Sequence, residues 1–397
     1  MAIKLPPLSL YVHLPWCVRK CPYCDFNSYR APAKLAAREY CDALLADLSR
    51  DAGWVEGRSI RSVFFGGGTP SLFPAHEIER FLVAASKLVS IEPNAEITLE
   101  ANPASVERQA FAGYASAGVN RISLGVQSFD DDSLRQLGRV HTADEARRAV
   151  EEVSAAGLAS FNLDLMYGLP RQDEAGANAD IRTALSFEPP HVSWYQLTLE
   201  PGTLFSVRPP KGLPTELELE RIERSGRALL HGAGFRRYET SAWARSGQRC
   251  RHNQNYWRFG DYLGIGAGAH GKITHVQDGS VWRTSKQRHP TAFRRVAASR
   301  QRLAELSKVS ALELGFEFML NALRLHQPVT EKLLHARTGL RFRDLQTPIG
   351  EAVARGLLRA DAMRLYVTRL GRCFLNDLQA CFLPPQALKS TECELHD

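Results

Sequence analysis

Short apolar segments alternate with segments of helical period through roughly the first 240 residues of the chain. An apolar residue at every third or fourth position marks the buried face of a helix, whereas a short continuous apolar run marks a buried strand. Repetition of strand, helix and strand favours a parallel sheet, because parallel neighbours need a crossover connection. The sequence therefore predicts an α/β fold, either an open barrel or a doubly wound sheet. Six strands are predicted, at Leu8–Leu14, Ile60–Phe65, Glu96–Glu100, Arg121–Gln127, Ser160–Met166 and Val192–Leu199.

The C-terminal part of the chain has a different pattern, with helices and one short strand pair after about Pro290. The order of these elements resembles a winged helix. We predict a first domain over residues 1–240, a linking segment over 241–290 and a smaller, mostly helical, winged-helix-like domain over 291–397. The predicted C-terminal elements are Lys308–Leu325, Val329–Thr338, Pro348–Gly356, Leu358–Leu365, Tyr366–Thr368 and Asn376–Phe382.

Cysteine, glycine or polar residues end or follow each of the six predicted strands. In parallel α/β folds the loops at the carboxyl ends of the strands converge, and ligands bind there. We therefore expect these residues to share one site. They are Cys17, Cys21 and Cys24, then Gly66-Gly67-Gly68-Thr69-Pro70, Glu100-Ala101-Asn102-Pro103, Gln127-Ser128, Asp164 and Glu200-Pro201-Gly202.

The three N-terminal cysteines have the spacing C-x₃-C-x₂-C, at Cys17, Cys21 and Cys24. Three thiolates can bind three irons of a [4Fe–4S] cubane and leave the fourth iron open, whereas electron-transfer clusters use four cysteines. A structural zinc ion would need a fourth ligand, for which His13 is the nearby alternative. The remaining cysteines are dispersed, which is typical of a reducing compartment. The spacing favours the iron–sulfur cluster.

Composition limits the partners and the location. The chain has no apolar run of about 20 residues, which a membrane helix needs, and no signal sequence, so we expect a cytoplasmic protein without a membrane span. The net charge is +7, but the arginines and lysines are scattered rather than grouped on one helix. No nucleic-acid partner is expected.

These motifs together resemble the radical SAM superfamily, in its coproporphyrinogen-dehydrogenase-like branch, over almost the whole chain. The resemblance implies a partial (β/α)₆ barrel, a [4Fe–4S] cluster and S-adenosylmethionine (SAM). The cysteine motif follows Tyr11-Val-His13-Leu-Pro15-Trp, and the other matching segments are Gly66-Gly-Gly-Thr-Pro70, Glu100-Ala-Asn-Pro, Ser123-Leu-Gly-Val-Gln127-Ser-Phe, Leu137-Gly-Arg139-Val-His and Asn162-Leu-Asp164-Leu-Met-Tyr-Gly-Leu-Pro170.

The same resemblance implies a set of SAM-binding residues. Glycines would let the backbone approach the methionine amine closely, and the planar guanidinium of Arg139 suits a carboxylate. Asp164 suits the ribose hydroxyls, and Tyr23 would pack beside the adenine or a second ligand. The full set is Tyr11, Tyr23, Gly67, Gly68, Thr69, Glu100, Gln127, Arg139 and Asp164.

Two kinds of protein in this branch differ at two places. Coproporphyrinogen dehydrogenases have a fourth cysteine two residues after the third, where this chain has Phe26. Haem chaperones of the HemW type have the signature His-Asn-x-x-Tyr-Trp. This chain has it at His252, Asn253, Tyr256 and Trp257, which the resemblance implies are haem-associated.

The predicted function is that of a haem chaperone, which carries haem as cargo to apo-haemoproteins, whether soluble or membrane-bound. A radical SAM enzyme acting on a tetrapyrrole is the alternative. Phe26 argues against coproporphyrinogen oxidation and leaves SAM cleavage open. A neutral imidazole is a common haem ligand, and the candidate ligands are His252, Cys250 and His270, with Arg251 or Arg258 for the propionates.

Overall fold

The structure, a computed structural model, describes residues 3–105 and 110–384 of the chain. Within those residues, twelve strands form one sheet. They are β1 (Leu8–Leu14), β2 (Ile60–Gly67), β3 (Ile91–Ala101), β4 (Arg121–Gln127), β5 (Ser160–Tyr167), β6 (His191–Gln196), β7 (Arg236–Arg237), β8 (Ala242–Ala244), β9 (Asp261–Ile265), β10 (His270–His275), β11 (Ser280–Lys286) and β12 (Leu303–Lys308).

The sheet order is β12-β11-β10-β9-β1-β2-β3-β4-β5-β6-β8-β7. The six predicted strands, β1 to β6, are consecutive neighbours, and each pairs with the next in parallel. The sheet ends at β12 on one side and at β7 on the other, so it remains an open barrel. The predicted α/β fold class with a partial six-stranded barrel is confirmed.

One further parallel strand, β9, pairs with β1 although its sequence does not predict a strand. It lies in a glycine-rich segment, and glycine is depleted in strands. The structure requires glycine there, because a Cβ on Gly264 would lie 1.8 Å from the carbonyl oxygen of His270. Strands β8 to β11 lie within residues 241–290, so this segment extends the sheet at both of its edges. The three-domain division of the chain stays a prediction.

Helices follow the parallel strands and make up most of the C-terminal region. None of them, within the described residues, is long and apolar enough to cross a membrane. They are α1 (Ala37–Asp51), α2 (Ala75–Leu88), α3 (Ala110–Ser116), α4 (Asp131–Gln136), α5 (Ala143–Ala155), α6 (Glu174–Ser186), α7 (Leu204–Val207), α8 (Glu216–Gly232), α9 (Arg251–Trp257), α10 (Pro290–Val296), α11 (Ala311–Ala322), α12 (Glu331–Thr338), α13 (Gln346–Ala354), α14 (Arg369–Cys373) and α15 (Leu375–Ala380).

The C-terminal region contains a second hydrophobic core and a small sheet of strands β13 (Val329–Thr330), β14 (Leu358–Ala360) and β15 (Arg364–Val367). Strands β14 and β15 form the predicted hairpin. Phe259 and Val281 belong to this second core rather than to the core of the barrel. The region therefore packs on the segment that extends the sheet, and its predicted helical character is confirmed.

Candidate functional site

The three motif cysteines lie on the loop between β1 and α1, hereafter the cysteine loop. It begins with a two-residue strand, Trp16–Cys17, which pairs in parallel with Tyr29–Arg30. The segment Gly66–Pro70, hereafter the glycine loop, fixes it, since the Thr69 N–H donates to the Trp16 carbonyl oxygen at 2.7 Å. The cysteine loop is thereby held at the carboxyl ends of β1 and β2.

All three motif cysteines have free thiols and are partly exposed. Burial raises the pKa of the Cys17 and Cys24 thiols, and the neighbouring thiols raise it further. Within the described residues, no group of three or more His, Cys, Asp and Glu side chains is arranged to hold a metal ion. The structure thus brings the thiols to one loop without closing them around a common centre. The three cysteines fit an iron–sulfur cluster by their chemistry, because they offer three free thiols on one loop.

His13, the alternative fourth ligand for zinc, uses both of its ring nitrogens. Its Nε2 lies 2.9 Å from the Asn27 carbonyl oxygen, and its Nδ1 lies 3.0 Å from the Tyr11 hydroxyl. The ring is buried, and burial lowers the pKa of His13. His13 therefore holds the end of the cysteine loop as a neutral hydrogen-bonded residue, and a zinc site gains no support from it.

The glycine loop is glycine-rich because the chain packs closely against it. A Cβ on Gly67 would lie 2.3 Å from the His13 ring, and one on Gly68 would lie 2.6 Å from the Trp16 carbonyl oxygen. Gly67 also has a φ of 111°, which disfavours other residues. The sequence analysis explained these glycines by the close approach of a ligand amine. The packing of the protein itself is enough to require them.

Two carboxylates lie near the same end of the barrel, at Glu100 on β3 and Asp164 on β5. Glu100 Oε2 accepts a hydrogen bond from the Gly67 N–H at 3.1 Å. Loss of hydration, followed by the charge of Asp164, raises the pKa of Glu100 to about 8. Burial also raises the pKa of Asp164, although hydrogen bonds to its carboxylate oppose the shift. This end of the barrel therefore favours a cationic ligand, which would relieve the repulsion.

Arg139 reaches the cysteine loop from the segment after α4. Its Nη1 lies 3.7 Å from Cys21 Sγ, and its Nη2 donates to the Gly125 carbonyl oxygen at 2.6 Å. The buried Nε finds no acceptor among the described residues. Tyr23 lies beside Arg139 and Cys21. Burial raises the pKa of Tyr23, the charge of Arg139 opposes this shift, and Cys21 adds to it. An anionic group beside the cysteines would satisfy the unpaired donor.

Gln127 ends β4 with a φ of 69°, which costs about 1–3 kcal/mol for a residue other than glycine. Its Oε1 accepts a hydrogen bond from the Tyr195 hydroxyl at 2.7 Å. Tyr195 is not among the sequence-predicted residues. The sequence could have indicated Tyr195, because side chains alternate between the two faces of a strand. Tyr195 therefore shares one face of β6 with Ser193 and His191.

Asn162 begins one of the matching motif segments but has no predicted role, and in the structure it orients Asp164. Its Nδ2 donates to Asp164 Oδ1 at 2.7 Å and to Ser123 Oγ at 2.8 Å. Its Oδ1 lies 2.6 Å from His191 Nδ1 and accepts from Ser193 Oγ at 3.1 Å. Because Asn162 lies two residues before Asp164 on one strand, both point into the barrel.

The His-Asn-x-x-Tyr-Trp signature forms α9, which closes the other end of the barrel. Glu96 Oε1 accepts from the N–H groups of Arg251 and His252, at 2.8 and 3.2 Å. His252 is 8% exposed, its ring stacks on Phe64 with centroids 4.9 Å apart, and its Nδ1 lies 3.4 Å from Ser62 Oγ. Burial lowers the pKa of His252 to about 4. The signature is therefore not brought to the end that carries the cysteines.

Two other residues of the signature pack on each other, and one of them, Trp257, contacts the C-terminal region. The Tyr256 and Trp257 rings meet edge to face with centroids 5.0 Å apart, and the Arg324 guanidinium lies 4.4 Å above the Trp257 ring. Trp257 Nε1 is buried without a hydrogen-bond partner among the described residues. Asn253 is half-buried on the same helix. Their role in haem binding stays a prediction.

His270 is exposed at the start of β10, just after the turn that follows β9. Burial and the charge of Arg283 lower its pKa. It follows a turn that packs against the cysteine loop, where Asn27 Nδ2 donates to the Ala267 carbonyl oxygen at 3.0 Å, so it lies on the side of that loop. The structure therefore separates the two candidate histidines, with His252 at one end of the barrel and His270 at the other.

Of the predicted SAM-binding residues, all but Tyr11 lie at or near the carboxyl ends of the strands, and the Tyr11 hydroxyl reaches this end from within β1, 3.0 Å from His13 Nδ1. Tyr11 lies within β1, where its ring is 6.3 Å from that of Phe64. SAM binding by these residues stays a prediction. The residues that meet at this end are Tyr23, Gly67, Gly68, Thr69, Glu100, Gln127, Arg139 and Asp164.

Comparison with known proteins agrees with this geometry. The sequence profile of the radical SAM superfamily matches residues 11–183, and that of the HemN C-terminal domain matches residues 309–374. The chain is 47% identical to the protein named heme chaperone HemW of Escherichia coli, over 96% of this chain and 99% of that protein. The chain belongs to the HemW family of radical SAM proteins. The protein of the same name from Haemophilus influenzae is also 47% identical, with the same coverage.

The likeness extends to a solved structure. The coproporphyrinogen III oxidase HemN of Escherichia coli, described as a radical SAM enzyme, superposes with a TM-score of 0.80 at 23% identity, over 95% of this chain and 90% of that one. This match confirms the fold. Membership of the radical SAM family implies a [4Fe–4S] cluster and SAM.

Proposed function

We propose that this protein is a haem chaperone, which binds haem as cargo and transfers it in the cytoplasm to soluble or membrane-bound apo-haemoproteins. The observation that carries the proposal is 47% identity with a protein named heme chaperone, over 99% of that protein's length. Phe26 supports it, because the dehydrogenase pattern has a fourth cysteine at that position. Phe26 is 58% exposed and has no thiol, so this position offers no fourth cysteine ligand.

In this proposal the cluster is held by Cys17, Cys21 and Cys24, and SAM occupies the end of the barrel beside them. The cluster and SAM supply reductive cleavage chemistry when both are bound. Glu100 accepts a hydrogen bond from the ammonium group, and the unpaired Nε of Arg139 donates to the carboxylate. Asp164, oriented by Asn162, accepts from the ribose hydroxyls.

A radical SAM enzyme acting on a tetrapyrrole is the second candidate. One observation favours it: Glu100, Gln127, Arg139 and Asp164 meet at the end of the barrel that carries the cysteines. A protein that only carried haem would need none of these groups for cargo binding. The two candidates differ in turnover, which is measurable.

The decisive experiment is an anaerobic haem titration of the cluster-reconstituted full chain, followed by desalting. We expect a saturable Soret band near one haem per chain. The haem-loaded protein is then mixed with membranes from haem-starved cells, and recovery of haem-dependent oxidase activity is compared with that produced by the same amount of free haem.

Haem that is lost on desalting would overturn the chaperone proposal. The parallel sample contains coproporphyrinogen III, SAM and a reductant. Decarboxylated product or substrate-stimulated 5′-deoxyadenosine in that sample would establish the enzyme instead.

A further inference from the structure

Strand β4 carries one residue more than its neighbour β5 just before it ends. Leu124 and Gln127 on β4 pair with Leu163 and Leu165 on β5, so three steps along one strand match two steps along the other. The extra residue forms a β-bulge at residues 125–126. Bulges interrupt the hydrogen-bond ladder, re-aim the side chains beside them and are common next to active sites.

The backbone at Gln127 decides where its side chain points. By its register Gln127 lies level with Leu165, which belongs to the main hydrophobic core. Its φ of 69° turns the side chain to the end of the barrel instead, where its Oε1 accepts from the Tyr195 hydroxyl at 2.7 Å. This left-handed conformation is strained for any residue but glycine, so it persists only where the surrounding structure holds it.

Two side chains from the segment after α4 hold the bulge. Arg139 Nη2 donates to the Gly125 carbonyl oxygen at 2.6 Å, and His141 Nε2 lies 3.1 Å from the Val126 carbonyl oxygen. In a regular parallel pair these carbonyl oxygens would accept from the neighbouring strand, but the bulge interrupts that pairing. The two side chains therefore supply the hydrogen bonds that the ladder does not.

His141 makes its bond to the bulge as a neutral donor. It is 3% exposed, and burial, followed by the charge of Arg139, lowers the pKa of His141 to about 4. A neutral imidazole has one N–H group, which must be on Nε2 to donate to the Val126 carbonyl oxygen. Its Nδ1 has no hydrogen-bond partner among the described residues. Within that part of the chain, the side chain of His141 is therefore bonded to the bulge alone.

Asp180 on α6 holds the chain on the other side of Gln127. Ser128 Oγ donates to Asp180 Oδ2, and the Phe129 N–H donates to Asp180 Oδ1, both at 2.7 Å. Asp180 is 4% exposed, so water competes little for these bonds. Gln127 is thus fixed between the bulge that His141 holds and the turn that Asp180 holds.

The amide of Gln127 offers a hydrogen-bond donor at this end of the barrel. Its Oε1 is bound to Tyr195, and its Nε2 donates to none of the described residues. A Cβ on Gly125 would lie 3.1 Å from Gln127 Nε2 and 3.5 Å from Arg139 Nη2. The two donors therefore converge over one glycine, and an acceptor group of a ligand placed there would accept from both.

We propose that His141 is a positioning residue for SAM, which holds the bulge of β4 and so keeps the amide of Gln127 over Gly125, beside Arg139. This inference rests on the SAM site of the proposed function and concerns neither haem nor its ligand. It gives a role to the last residue of the Leu137-Gly-Arg139-Val-His141 motif, which has no predicted one. His141 acts through Gln127, so its loss should weaken SAM binding only where Gln127 is present.

The test is anaerobic isothermal titration calorimetry of SAM with the cluster-reconstituted full chain. In His141→Ala we expect the dissociation constant for SAM to rise about 5- to 20-fold at unchanged iron content. His141→Gln should bring it back to within about twofold of the wild type, because the amide N–H replaces the imidazole N–H.

His335→Ala is the matched control. Its Nδ1 lies 2.9 Å from the Gly339 carbonyl oxygen, and its Nε2 is buried without a partner among the described residues. This substitution therefore removes the same kind of hydrogen bond in the C-terminal region, and SAM binding should stay at the wild-type value. If His141→Ala does not fold, His141→Asn replaces it, because that side chain is polar but too short to reach the Val126 carbonyl oxygen.

A double-mutant cycle separates positioning from general damage. Gln127→Gly removes the amide and relieves the strain, so it should weaken SAM binding without lowering the midpoint of urea unfolding. Adding His141→Ala to Gln127→Gly should then change the dissociation constant for SAM by less than about twofold. The proposal is overturned if His141→Ala alone binds SAM like the wild type, or if it weakens binding as much in the Gln127→Gly background.

The wild-type chain separates this inference from the chaperone proposal. A chain that retains haem but binds no SAM would overturn the SAM site and the role of His141, and would leave the chaperone in place. A chain that loses haem but shows the expected SAM results would overturn the chaperone alone and support the role of His141.

Discussion

The Glu100 carboxylate accepts a hydrogen bond from the Gly67 N–H at 3.1 Å. This bond joins the end of β3 to the glycine loop and holds an acidic group where it is poorly hydrated. The pKa of Glu100 is consequently raised to about 8. At pH 7, Glu100 therefore carries a proton in about nine-tenths of the molecules. An ammonium group that arrives beside Glu100 favours the ionised form and displaces this proton.

SAM binding at pH 7 is therefore expected to release close to one proton from Glu100. The release should fall towards zero above about pH 9, where Glu100 is already ionised. Isothermal titration calorimetry in buffers of different ionisation enthalpy measures it. Glu100→Gln should bind more weakly and release no proton, whereas the Glu92→Gln control, at a partly buried carboxylate that pairs with Arg61 at the start of β3, should behave like the wild type. Equal proton release by Glu100→Gln would contradict this account.

Each motif cysteine is expected to be required for the cluster. Cys17→Ser, Cys21→Ser and Cys24→Ser should each lower the iron content of the anaerobically reconstituted protein from about four per chain to below about one. Cys373→Ser is the control, because that thiol is free and exposed in the C-terminal region. Iron and sulfide analysis measures the cluster content of each variant. Full iron content in any of the three motif variants would count against that cysteine as a cluster ligand.

Asn162→Leu should destabilise the protein by about 2–4 kcal/mol, because His191, Ser123 and Asp164 would lose buried hydrogen-bond partners together. Urea unfolding measures the loss, and a parallel SAM titration should show weaker binding. Ser160→Ala on the same strand removes a buried hydroxyl that has no partner among the described residues, so it should be nearly neutral. Equal losses from both substitutions would argue against the network.

Lys286 is buried between Asp47 and Asp51, with its Nζ 2.6 and 2.5 Å from their carboxylates. Lys286→Ala leaves these carboxylates with fewer partners and should cost about 3–5 kcal/mol in the free energy of unfolding. Lys308→Ala, which breaks an exposed pair 3.8 Å long, should cost less than about 1 kcal/mol. Denaturant unfolding of both variants compares them directly. Asp47 also accepts from the Gly266 N–H, so the Lys286→Ala variant should also loosen the glycine-rich turn after β9.

His252 is expected to make the protein sensitive to acid. Its pKa in the folded protein is lowered to about 4, below the ordinary value near 6.5, so the unfolded chain binds more protons between these values. Its contribution to stability is present above pH 6.5 and is lost as the pH falls towards 4. Relative to His252→Leu, the wild type should lose about 2–3 kcal/mol over this window in urea unfolding. Parallel pH profiles of the two proteins would refute the assignment.

The sequence predicts much of the barrel, because a buried parallel strand needs a continuous apolar run and such runs are visible at β1 to β6. It does not predict β9, where glycine lowers the strand signal and close packing against His270 requires glycine all the same. The predicted hairpin of the C-terminal region is present, but its turn lies at Asp361–Met363, since a short loop has little periodicity to locate it.

The sequence alone determined that the three motif cysteines lie close together on one loop, because residues four and three positions apart cannot be far apart in space. The pairing of Asn162 with His191 was not, since it depends on the register of β5 against β6, 29 residues along the chain. Nor does a signature of six residues say which end of a barrel it closes. Only the tertiary structure buries His252 and exposes His270 and Phe26, because burial is decided by contacts between segments far apart in the chain rather than by local spacing.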